Sequence, residues 1–285
     1  MNAHYIPERF SNGVVFDHLI SDGNLLPDQE YQDPCERSTV QKFTIGTRLV
    51  IGERAFRYGF FHQAVGEMSY ALVNGNVIPN DGAEPLFVGT PLIGDRTIIV
   101  ADAGSPANRP VNYYQGGYVF IYRNPTIAQS ATNHDQFRRV VSSTVGTTAN
   151  LILTLDYPLT CTPAHTGNAN DLDIYPSQYS LICQPGHSSA GEESFVGFAH
   201  AWYAASEYGW VQTWGPVNAH SVVKFCGERG APGDRDCYFT AGGGVATAKS
   251  ASGTDVYVSF QRAGYLLPCT KSAYGSEFFM LQLAP

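Results

Sequence analysis

The stretch ASEYGWVQTWGPVNAH, residues 205–220, sets Trp210 and Trp214 four positions apart and then runs into Gly215-Pro216, with Trp202 just upstream. Side chains alternate across a strand. Read that way, Tyr208, Trp210, Gln212 and Trp214 share one side, and Val211 and Thr213 take the other. Two roles fit such a side. It can be the inner wall of a compact β-unit, with Gln212 at an edge or bonded to backbone. It can instead be an open platform on which sugar rings stack. The expectation carried forward is the core; the alternative is a glycan-binding face made by Tyr208, Trp210 and Trp214.

The rest of the composition supports strands. Across 285 residues only 15% are charged, and four lysines stand against thirteen arginines, whereas Gly 29, Pro 17, Tyr 17 and Phe 16 are abundant. Strong helix formers are thus scarce, and turn and strand formers common. The formal net charge of −8 without a basic run excludes a nucleic-acid-coating role, which needs clustered Lys and Arg. No apolar stretch approaches the roughly 20 residues of a membrane span. The first residues, MNAHYIPERFSNG, lack the basic-then-apolar layout of a secretory signal.

Along the chain, residues 1–40 are polar and interrupted by Pro7, Pro27 and Pro34, which reads as an extended arm held at apolar points such as GVVFDHLI. Strand, turn and strand follow in KFTIGTRLVIGERAFRYGFF, with the turn at IGER. HQAVGEMSYALV, residues 62–73, is the best candidate for a short helix. PLIGDRTIIVADAG, QGGYVFIYRN and QFRRVVSSTVGTTANLILTLDYPLT then read as strands. A loop-like middle places a boundary near residues 185–193, and about six further short strands follow. The expected fold is mainly β: an N-terminal arm (1–40), a β-rich domain (41–188) and a small antiparallel barrel or sandwich (189–285), with at most one or two short helices.

Chemistry-bearing motifs are sparse. Ser188 and Ser189 in GHSSAG miss the nucleophile-elbow spacing, and no glycine-rich stretch has a phosphate-loop lysine. His187, His200 and His220 show no paired zinc spacing. Asp171 with Asp173, and Glu192 with Glu193, supply carboxylates that a glycosidase could use only by convergence in space. Neither catalytic residues nor a cofactor or metal are expected. Six cysteines without a CxxC are too few for a disulfide scaffold, although Cys226 and Cys237 flank the turn-rich GERGAPGDRD and could face each other across a hairpin.

Four segments in order carry a resemblance: IGTRLVIGERAFRYGFF (45–61), QGGYVFIYRNPTIAQSATNHDQFRRVVSST (115–144), LILTLDYPLT (151–160) and FVGFAHAWYAASEYGWVQTWGPV (195–217). Together they resemble virion structural proteins of tailed bacteriophages, over roughly residues 43–285. The resemblance implies a non-enzymatic head decoration or cement protein, assembled in the host cytoplasm into the virion. Its partners would be the major capsid protein and copies of itself, for example as a trimer, with no nucleic acid, membrane or cofactor. The alternative from the same reading is a tail fibre, spike or other receptor- or glycan-binding virion component.

Overall fold

The computed structural model describes residues 14–16, 32–65, 71–74, 86–101, 111–123, 134–144, 150–163, 172–185, 194–219, 235–239, 243–247, 261–267 and 277–284. Regular structure among them is all strand, so the mainly β expectation holds. The helix expected over 62–73 does not form in the described part. Val65 makes a β-bridge to Tyr203, and Ala71–Asn74 is a strand.

Two compact units divide the chain: residues 1–76 with 181–285, and residues 77–180. These units differ from the expected division at 188/189. The segments on either side of it share one sheet, because sequence-distant strands pair there. In that unit the strands are β1 (Val14–Phe16), β2 (Arg48–Ile51), β3 (Arg54–Phe61), β4 (Ala71–Asn74), β11 (Ile182–Cys183), β12 (Ser194–Ala199), β13 (Glu207–Ala219), β14 (Asp236–Phe239), β15 (Val245–Thr247), β16 (Arg262–Leu266) and β17 (Glu277–Gln282). They form one sheet in the order β1-β2-β3-β11-β4-β12-β13-β17-β16-β14-β15, and β3 also pairs with β13.

That additional pairing closes β3, β11, β4, β12 and β13 into a ring. β13 is its long member. β3 lies along one edge of it, from Glu207↔Phe61 to Trp214↔Ala55, while β12 and then β17 occupy the other. The tight β2–β3 hairpin turns through Gly52-Glu53, with Gly52 at φ 59°, as the IGER turn requires. β1 pairs antiparallel with β2, so Val14–Phe16 of the expected arm is an edge strand of this sheet. Toward the far end, Phe198, Val217, Phe239, Phe279 and Leu281 form a buried cluster, with Phe195 stacked on Phe239 at 4.3 Å.

The second unit is a six-stranded antiparallel sheet built from β5 (Leu86–Phe87), β6 (Thr97–Ala101), β7 (Tyr118–Ile121), β8 (Gln136–Ser143), β9 (Leu151–Leu155) and β10 (Leu172–Tyr175), in the order β10-β7-β8-β9-β6-β5. Strict alternation decides its sides. Ile98, Val100, Val119, Ile121, Leu151, Leu153 and Leu155 are buried together, while Ile99, Tyr118 and Ile152 between them are exposed.

Where strands approach most closely, glycine is required. At Gly264 (φ 148°) an added Cβ would lie 1.8 Å from the Met280 carbonyl oxygen. At Gly52 it would meet nothing within 4 Å. Gly264→Ala is therefore expected to lower unfolding free energy by about 3 kcal/mol or more, through backbone displacement and a strained dihedral. Gly52→Ala adds only left-handed strain, about 1–2 kcal/mol. Urea denaturation of the two variants checks the order.

Candidate functional site

The tryptophan segment is resolved first by its register on β3. Tyr208, Trp210 and Gln212 oppose Phe60, Tyr58 and Phe56, and share a side with them. Trp214, however, opposes Ala55, because Thr213 is an extra residue in a β-bulge. The bulge turns Trp214 to the other side of the sheet, which corrects the simple alternation of two. Thr213 is fully buried and holds the C-terminal segment. Its hydroxyl donates to the Ala284 carbonyl at 2.5 Å, and its carbonyl accepts from Leu283 N at 3.0 Å.

Trp210 is fully buried. Phe43 and Tyr58 lie 5.1 and 5.0 Å from its ring. Its indole Nε1–H donates to the Gln32 carbonyl at 2.9 Å, the partner a buried indole needs. The Gln32 side chain is fully buried as well. Its Oε1 accepts from the Tyr58 hydroxyl at 3.1 Å, and its Nε2 donates to the Glu36 carbonyl at 2.9 Å and the Tyr208 carbonyl at 3.3 Å. Ser38 then pairs with Tyr208 through two backbone hydrogen bonds of 3.0 and 2.7 Å. Residues 32–43, largely counted within the arm from sequence, are thus a strap across the aromatic cluster. Burial pushes the Tyr58 and Tyr203 hydroxyls far above the usual phenol range.

A platform made by Tyr208, Trp210 and Trp214 does not exist as a surface: the middle ring is sealed, and the outer two are half-buried on opposite sides. Trp202 is 46% exposed, but the Arg37 guanidinium already lies over its ring at 4.6 Å.

Gln212 is bonded to backbone, as the core reading requires. Its Nε2 donates to the Trp214 and Pro216 carbonyls, both at 3.0 Å. The amide orientation is thereby fixed, so Oε1 accepts and His200 Nε2, at 2.5 Å, must carry the proton. Burial lowers the His200 pKa, opposed by the Gln212 contact. The imidazole is neutral and structural. Among the described residues no three His, Cys, Asp or Glu side chains converge as a metal site. His187, His220, Asp171, Glu192, Glu193, Ser188, Ser189 and Cys226 lie outside the described residues. Cys237 is buried on β14, and Cys226, the other half of the expected hairpin pairing, lies outside the described residues.

The surface with recognition chemistry lies elsewhere, on the outer side of the six-stranded sheet. Tyr175 opposes Tyr118, Asp173 opposes Phe120, and Phe120 opposes Phe137. Phe137 and Tyr118 stack at 4.8 Å with 11° between planes, and are 57% and 42% exposed. The Tyr122 and Tyr175 hydroxyls donate to Asp173 Oδ2 at 2.5 and 3.3 Å. Sequence reasoning identified QGGYVFIYRN as a strand without noting that Tyr118, Phe120 and Tyr122 fall on one side. That spacing of two was the available signal. Searches against protein-family models, curated proteins and solved structures found no match to this chain.

Two outcomes follow from the buried cluster. Trp210→Ala should cost about 3–5 kcal/mol. Trp210→Phe, which keeps a ring but strands the Gln32 carbonyl, should cost about 1–3 kcal/mol. Thermal unfolding followed by circular dichroism measures both; a Trp210→Ala protein as stable as wild type would contradict core packing. The second concerns pH. His200 stays neutral in the fold, while unfolded chains bind its proton near about pH 6.5. Its stabilising contribution is complete above that pH and is lost as pH falls toward the lowered folded value. Urea midpoints between pH 7.5 and 5.5 should fall less steeply in His200→Gln than in wild type.

Proposed function

We propose that this chain is a non-enzymatic virion structural protein, a capsid decoration or cement protein that binds the major capsid lattice and copies of itself. The observation that carries the reading is the use of its aromatic residues. The Trp210 cluster, where a sugar platform or cleft would have been built, is consumed in locking a strap onto a closed ring of strands. Among the described residues, β1 and β15 terminate one sheet, and β5 and β10 the other. Edge strands accept further strands through main-chain hydrogen bonds. An amino-terminal segment that already enters as an edge strand supports attachment through that end. The ordered resemblance to tailed-phage virion proteins supplies the expected partner.

The test is a count. Quantitative mass spectrometry of purified particles of the encoding phage should find this chain in hundreds of copies. A handful would identify a tail part, and its absence would reject a virion role. Deletion of residues 1–13, which keeps β1 and the strap, should leave a folded protein with reduced occupancy on particles.

A further inference from the structure

We infer that the outer side of the β10-β7-β8 sheet is a carbohydrate-binding face, taking a neutral oligosaccharide by ring stacking on Tyr118, Phe137 and Tyr175 and by a hydroxyl bond to Asp173. This does not rest on the virion reading, and it moves sugar recognition away from the sealed Trp210 cluster.

The chemistry of the face is mixed, and the mixture selects the ligand. Phe137 stacks by one ring face on Tyr118, and at 57% exposure its other face is open to solvent. Pyranose rings present flat C–H faces to such surfaces and hydroxyls at their rims. An acceptor at the rim is therefore the second requirement, and Asp173 supplies it. Both tyrosine hydroxyls donate to Oδ2, which orients the carboxylate and leaves Oδ1 its lone pairs for a ligand hydroxyl. Arg139 stands opposite Tyr118 on the same side, while the Asp135 and Asp156 carboxylates nearby are engaged by the backbone N–H groups of Arg123 and Arg139.

Size argues the same way. Tyr118, Phe137 and Tyr175 are 42%, 57% and 41% exposed. With rings of about 200 Å² each, they offer on the order of 300 Å². A stable protein partner buries about 800 Å² on each side. The apolar share of such a face is about 450 Å²; the open rings, on the order of 300 Å², fall short of it and suit a few sugar units.

Saturation-transfer NMR on the full chain, with cellohexaose, maltohexaose and chitohexaose as probes, tests this. At least one should receive saturation from wild type. Phe137→Ala should weaken that binding at least tenfold and Asp173→Asn several-fold, while Trp202→Ala changes it less than twofold. Because Phe137 is exposed, its variant should unfold at the wild-type temperature; if it does not fold, Asp173→Asn decides alone. Lack of transfer to all three probes overturns the inference. So does binding lost in Trp202→Ala and kept in Phe137→Ala. Concentration-dependent dimerisation in sedimentation, abolished by Phe137→Ala, overturns it in favour of a second copy as the occupant.

Discussion

The first unit depends on one hydrogen bond and the burial that makes it indispensable: the Trp210 indole N–H on the Gln32 carbonyl at 2.9 Å. An indole sealed from water without an acceptor would forfeit the cost of its desolvation. The acceptor comes from a residue 178 positions away in the sequence. Gln32 in turn is satisfied by Tyr58, Glu36 and Tyr208. Losing the indole N–H takes the donor from the Gln32 carbonyl, and losing the Gln32 amide takes the acceptor from the Tyr58 hydroxyl, so the strap and the ring of strands hold each other. The aromatic contacts of Phe43 with Tyr58 and Trp210 add apolar burial to a polar network that already fixes position.

The bulge at Thr213 is the second constraint, and it explains how one strand serves two partners. Before it, β13 directs Trp210 and Gln212 to the strapped side; after it, Trp214 turns away and the strand continues beside β17. An unpaired bulge residue needs its own hydrogen bonds. Here Thr213 finds them in the C-terminal segment, at Leu283 and Ala284. The chain terminus described by the structure is thereby tied to the middle of the longest strand.

What could be read from sequence follows from what alternation encodes. The strand around Leu151 was legible because its polar and apolar residues alternate as half-buried sheets do, and those around Tyr118 and Arg54 because aromatic and β-branched residues run between glycine turns. The burial of Trp210 was legible for the same reason. Trp214 was not, since a bulge changes side without changing residue types. Nor were the two units, because interleaving depends on long-range pairing such as Gly209↔Gly59, which composition does not reveal. Residues 32–43 looked like more of the arm, since Gln32, Glu36 and Ser38 are polar; each bonds through or to the backbone, and that pattern has no periodicity to detect.

The contrast between the two aromatic groups carries the functional argument. In the first unit, stacked and edge-on rings are closed over by a strap, and Gly209 exists because the Tyr203 ring fills the place a Cβ would take, 2.2 Å away. In the second, rings of the same types stand on the open side of a sheet whose other side is already packed. Exposed rings contribute nothing to that core. Exposed apolar area of this kind favours association or loses solubility, so its retention beside an oriented carboxylate is most simply explained by a ligand that uses both.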